Sequence, residues 1–209
     1  MTMNGGKIKE LLKTILAVTI ATFLFGIAVC CYIHANLGSD SVSVFQQGIS
    51  HSLACTLGTA AYIYMGIVFV IDLFVSRENI GWTTVLNALM LGSFIDLVNK
   101  LFVPFFQLSD ALAFRILLLT MGILLVSVSC VILIRLNKGK NALDAVAWGL
   151  SAKMKLPYRV IRIGVDAVLM GIGWLLGGVV GFGSLAAVLL TGPTIQLFLS
   201  ILSKRAKKN

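Results

Sequence analysis

Charge is scarce in this chain. Only 12% of its 209 residues are Asp, Glu, Lys or Arg, and the acids number eight. A soluble domain carries about twice that charged fraction. With 58% hydrophobic residues and a mean hydropathy of +0.99, a water-solvated globule is excluded and the lipid bilayer becomes the solvent. Cysteine is also sparse. Cys30, Cys31, Cys55 and Cys130 show no C-x-x-C spacing, so neither a disulfide framework nor a zinc site is indicated. His34 and His51 stand alone, and no serine, cysteine or metal constellation points to hydrolysis. An enzyme, a cofactor and a bound metal are therefore not expected.

What charge there is falls unevenly. The net charge of +9 would suggest nucleic acid in a soluble protein. Here every Lys and Arg except Lys100 and Arg115 falls in segments assigned to the cytoplasm, which is the positive-inside pattern of a membrane protein. Nucleic acid is accordingly not an expected partner. The apolar runs Thr14–Ile33, Leu57–Val75 (Asp72 near its end), Trp82 onward, Ile116–Ile134, Pro157–Leu176 (Asp166 inside it) and Ser184–Leu202 predict about six transmembrane helices. The N- and C-termini are expected in the cytoplasm. Asp72 and Asp96 lie near span ends, where water solvates them, and Asp96 is placed to pair with Lys100 one turn on.

One stretch occurs twice. Asn36 to Ser50 and Asn137 to Ser151 align without a gap, sharing Asn36/Asn137, Gly38/Gly139, Gly48/Gly149 and Ser50/Ser151. Val42, Phe45, Ile49 and Leu53 fall opposite Leu143, Val146, Leu150 and Met154, a spacing that is one face of a helix. Asp40 and Asn141 precede that face where N-caps belong. Both helices are too short to cross a bilayer and are expected to be re-entrant or interfacial. Gly81-x-x-Thr84…Gly92 is likewise echoed by Gly181-x-x-Ser184…Gly192. With three spans per half, the second half must enter from the opposite side. The fold expected is therefore all-α: a single polytopic membrane domain over 1–209, with inverted repeats at about 14–106 and 112–203.

Chemistry concentrates in few residues. Asp166 lies inside an otherwise apolar span, where a lone carboxylate costs about 3 kcal/mol and needs a partner. Arg162, one turn earlier, supplies it. Asp144 falls in the first turn of the second short helix, which favours an acid. Two helix N-termini entering from opposite faces would present free N–H groups, an anion-binding arrangement. Asn36, Gly38, Asn137 and Gly139 would form its approach, with Asp40 and Asn141 at the helix starts. Gly173, Gly177 and Gly181 repeat every four residues, marking a close helix contact or the seam of a homodimer.

These residues resemble the YczE/YyaS/YitT group of bacterial membrane proteins over nearly the whole chain. The carriers are Leu37-Gly38 leading to Gly48-Ile49-Ser50, Asn141 to Asp144 leading to Gly149-Leu150-Ser151, Arg162 with Asp166, and Gly181-x-Gly183-Ser184…Gly192-Pro193. That group has Pro-Trp-Asp at the start of the first short helix. Ser41-Val42-Ser43 stands there instead, and Asp144 keeps the acid in the second half. The resemblance implies a multi-pass protein of the bacterial cytoplasmic membrane. The function expected is a permease for a small anionic solute or an ion. The alternative is a membrane-resident regulatory protein whose basic loop, Arg135 to Arg162, holds a partner or acidic lipid.

Overall fold

A computed structural model describes residues 5–75, 81–106, 108–136 and 141–206. It is all-helical over these residues. The helices are α1 (Gly5–Ala35), α2 (Ser41–Ser52), α3 (Leu57–Val75), α4 (Trp82–Phe106), α5 (Leu112–Leu136), α6 (Ala142–Met154), α7 (Tyr158–Leu175) and α8 (Phe182–Ala206). Helices α1, α3, α4, α5 and α8 are long and apolar enough to cross a membrane. Helix α7 has only 18 residues, and Arg159, Arg162 and Asp166 interrupt its apolar surface, so by length and composition it stands apart from the other five.

Helix α1 is the axis. It packs on α4 along one side and α5 along the other, and α5 carries α8. Polar side chains pin these contacts inside the apolar core. The Thr22 hydroxyl donates to Asn87 Oδ1 at 2.7 Å, and the Ser129 hydroxyl donates to the Ala21 carbonyl at 2.8 Å. Such bonds between helices in lipid are worth about 0.6 kcal/mol each. The short helices lie between the long ones, α2 against α7 and α3, and α6 against α3 and α7.

The duplicated stretch repeats its geometry at the start and the end of the short helix. Asp40 and Asn141 both hold extended N-cap conformations, with φ of −63° and −60°. The Ser50 hydroxyl donates to the Cys55 carbonyl at 2.6 Å, and 101 residues on, Ser151 donates to the Leu156 carbonyl at 2.6 Å. Ala54 and Lys155, also 101 apart, both turn the chain through the left-handed region, at φ 47° and 54°. The ends of the short helices are then tied to opposite long helices. The Ser52 hydroxyl donates to the Leu176 carbonyl after α7, and Lys153 Nζ donates to the Phe74 carbonyl in α3.

Glycine sets the closest crossing. A Cβ on Gly48 would collide with the Gly173 carbonyl, and one on Gly173 would lie 2.7 Å from the Phe45 backbone. Gly173 and Gly177 therefore lie against α2, whereas Gly181 packs on the Leu37 carbonyl ahead of that helix. Two sequence expectations about acids are corrected here. Asp96 does not turn to Lys100; its carboxylate accepts the Gly58 N–H at 2.8 Å and the Thr56 hydroxyl at 2.7 Å, closing the start of α3. Asp72 is not solvated at an interface but is 0% exposed, with neither oxygen hydrogen-bonded.

Two outcomes follow for stability in detergent. Gly173→Ala should lower unfolding stability by about 1–3 kcal/mol through overpacking, whereas Gly171→Ala, which meets open space, should be neutral or mildly stabilising; equal losses would contradict the close crossing. Ser50→Ala and Ser151→Ala should each cost about 1 kcal/mol, and a loss confined to one of them would break the structural equivalence of the two turns.

Candidate functional site

Sequence separation hides the main cluster. Arg162 lies on the first turns of α7, where its guanidinium reaches two acids at once. Its Nε donates to Asp166 Oδ2 at 2.9 Å one turn along the same helix, and its Nη1 donates to Asp144 Oδ1 at the start of α6. Asp144 also accepts the Tyr158 hydroxyl at 2.7 Å, and the Tyr158 ring stacks on Trp148 with centroids 4.7 Å apart. Asp166 in turn accepts the Ser41 hydroxyl at 2.5 Å. Ser41 is the first residue of α2. One arginine on α7 therefore links the N-terminal turns of both short helices.

Asp40 stands at the edge of this network. Its carboxylate accepts the Ser43 hydroxyl at 2.6 Å, and Asp166 lies near enough to act on it electrostatically. Tyr64 of α3 lies on the wall of the apolar cavity that Leu143, Ile161 and Val165 also line. Tyr64 is itself buried. Arg162 and Asp166 side chains are each 29% exposed and Asp144 38%, so the cluster borders accessible space rather than dry core.

The charge balance is acidic. Asp144 and Asp166 hold one guanidinium, with Asp40 as a further acid near Asp166. Each short-helix N-terminus contributes roughly half a positive charge, but each already faces a carboxylate.

Two cavities open in the structure, only the first of them beside the cluster. An apolar one of about 430 Å³ lies between α2, α3, α6 and α7, with Phe45, Tyr64, Leu143, Val146, Ile161 and Val165 among its walls. A polar one of about 510 Å³ lies at the far end of α1, lined by His34, Asn36, Ser109, Asp110 and Arg115. His34 is not simply solvated there: it bonds Asn99 at 2.8 Å and stacks on Phe106.

The sequence-derived residues divide accordingly. Arg162, Asp166 and Asp144 meet directly, with Asp40 beside them. Asn141 caps α6 through its backbone, with no side-chain cap bond. Asn36 opens onto the polar cavity, at φ 51°, away from the arginine. Gly38 packs on the turn before α8, where a Cβ would lie 2.6 Å from the Gly181 nitrogen and where the Leu37 carbonyl accepts the Gly183 N–H. It holds the fold rather than lining the cluster. Asn137 and Gly139 lie outside the described residues.

Sequence reading missed Ser41, Tyr158 and Tyr64. A signal existed for two of them: Ser41 begins the capped stretch, and Tyr158 precedes Arg162 by one turn. Among the described residues, neither polar atom of the buried Gln46 amide has a hydrogen-bond partner, and nothing in its local sequence announces it. No group of His, Cys, Asp or Glu among the described residues has the makings of a metal site.

Comparison with known proteins places the chain without assigning chemistry. No solved structure matches it. An uncharacterized protein of Haemophilus influenzae is 26% identical over 192 residues, covering 92% of this chain and 86% of its own length. The YczE/YyaS/YitT resemblance finds no specific support in these comparisons. Residues 12–200 match DUF6198, a family of unknown function, and the chain belongs to that family.

Proposed function

We propose that the protein is a small-solute or ion carrier with six spans, α7 being the sixth, built from two inverted three-span halves. The observation that carries this reading is the meeting of two short helices, one from each half, at Arg162 of α7. Discontinuous helices whose N-termini converge at a repeat interface are the usual substrate-site plan of inverted-repeat transporters. The packing supports the repeat. Contacts α1–α4, α2–α3 and α2–α7 recur as α5–α8, α6–α7 and α6–α3, while α3–α4 has no counterpart of similar size. Polar residues inside a span face protein or a water-filled path and mark solute or ion routes, and the Arg162 ion pairs border accessible space in this way.

Three carboxylates against one guanidinium favour a cationic solute over the anion that the sequence suggested. A cation attracted to Asp144 and Asp166 competes with Arg162 for them. The apolar cavity walled by Phe45 and Tyr64 adjoins that competition. Lipid contact over the exposed apolar faces of α3, α5 and α8 suits a cell-membrane location, with both termini on the cytoplasmic side by the distribution of Lys and Arg.

Topology and transport are separately testable. Single cysteines placed at Leu53 and Met154, both well exposed, should react with an impermeant thiol reagent from opposite sides of sealed vesicles; reaction from one common side would end the inverted-repeat reading. In proteoliposomes screened with small organic cations, Asp166→Asn and Asp144→Asn should cut uptake at least tenfold. Undiminished flux in both variants, or no flux of any cation in the wild type, would count against the carrier.

A further inference from the structure

We infer that the lateral groove between α3 and α7 binds one acyl chain of an acidic phospholipid, whose headgroup phosphate is held by Lys155 and Arg159 at the basic end of the groove. The inference rests on the carrier reading only for α7 as a sixth span, and it needs no transport.

Helices α3 and α7 each pack against both short helices rather than against each other. The short helices cannot fill the depth of a bilayer, so a gap stays open between the two longer ones. This gap is the apolar cavity of about 430 Å³. Phe45, Tyr64, Val146 and Ile161 are buried along its inner wall, whereas Ile67, Ile71, Val168 and Ile172 on its rims are 39–59% exposed. It therefore opens sideways, toward lipid. Tyr64 is the only lining residue with an oxygen or nitrogen in its side chain, and a held water needs about two to four polar partners. Such walls accept hydrocarbon instead. Gly164 stands on the α7 wall, where a Cβ would meet nothing within 4 Å.

Length and charge choose the lipid. Val160 and Ile172, the two ends of the α7 wall, are twelve residues apart, about 18 Å at helical rise. One leaflet of a bilayer's hydrocarbon core is about 15 Å deep, so a single extended chain runs the length of the groove. Hydrocarbon alone does not tell one phospholipid from another, because all of them offer it. The end of the groove does. Lys155 follows Met154 and Arg159 precedes Val160, and both Met154 and Val160 line the groove. Lys153 Nζ, donating to the Phe74 carbonyl, fixes that end beside the last turn of α3. Lys155 and Arg159 are exposed, and neither pairs with an acid among the described residues. The chain carries no acid from Ala145 to Val165. Each basic residue at a membrane surface strengthens the hold on acidic lipid about fivefold, and a headgroup placed here meets two.

The test uses purified full-length protein in detergent. Thermal unfolding is followed while phosphatidylglycerol, or phosphatidylcholine with identical chains, is added to the micelles, and native mass spectrometry counts the lipids retained. Phosphatidylglycerol should bind about tenfold tighter or more, and at saturation it should raise the midpoint by roughly 5 °C. Lys155→Gln combined with Arg159→Gln should abolish that preference and leave phosphatidylcholine binding as it was. Gly164→Leu fills the groove where the backbone has room for a side chain, so it should fold and weaken both lipids several-fold. Equal midpoint shifts from the two lipids, a shift from inorganic phosphate alone, or unchanged binding in Gly164→Leu overturns the inference. So does a lipid-free dimer that Gly164→Leu dissolves, which would give the groove to a second copy. Selective lipid binding without flux removes the carrier reading alone, and flux without lipid selectivity removes this inference alone.

Discussion

The arrangement depends on one guanidinium shared by two carboxylates. Arg162 cannot shed its charge in a protein, and a charge at the depth of an apolar bundle must be matched or expelled. Asp166 matches it from the same helix and Asp144 from α6, while Ser41 ties Asp166 to α2. Two helices too short to cross a membrane are in this way held at their N-terminal ends by polar contacts and along their lengths by apolar ones. Phe45 and Ile49 on α2 pack into the same buried core as Val146 on α6. Their far ends are fastened by Ser52 and Lys153 to carbonyls at the ends of α7 and α3. Neither helix needs strong intrinsic propensity, because tertiary contacts at both ends fix it.

Most of the helical layout was legible in the chain, because lipid imposes a length and a composition that sequence displays directly. Leu57–Val75 carries a single charge, Asp72 near its end, and it is the helix observed. Asp40 and Asn141 stood before apolar stripes of helical period, and both take the N-cap conformation. The 101-residue offset appears again as paired hydrogen bonds at Ser50 and Ser151. Pro104 does not end α4, which continues through it to Phe106. Its ring removes one N–H and so denies a helical bond to one carbonyl, that of Lys100 a turn earlier.

What stayed hidden is pairing between distant segments. Asp166 with Arg162 is a one-turn spacing on one helix, visible from sequence. Asp144 with Arg162 and Ser41 with Asp166 join residues on separate helices, 18 and 125 positions apart, and no local pattern encodes either. Asp96 illustrates the competition. Its neighbour Lys100 offered an exposed ion pair worth a few tenths of a kcal/mol. The α3 N-terminus offered an N–H and a hydroxyl in a less solvated place, where charge-assisted bonds are stronger, and the carboxylate went there.

The account turns on Arg162 being held by the two acids rather than merely lying near them, and a thermodynamic cycle reads that directly. Unfolding stability would be measured for Arg162→Gln, for Asp144→Asn with Asp166→Asn, and for all three changes together. If the charges sustain one another, removing the arginine alone strands two carboxylates and is the worst variant. Neutralising all three should then recover about 1–3 kcal/mol relative to that single change. Additive losses, with the triple variant the least stable, would mean that the three side chains do not share an interaction and that the short helices meet for some other reason.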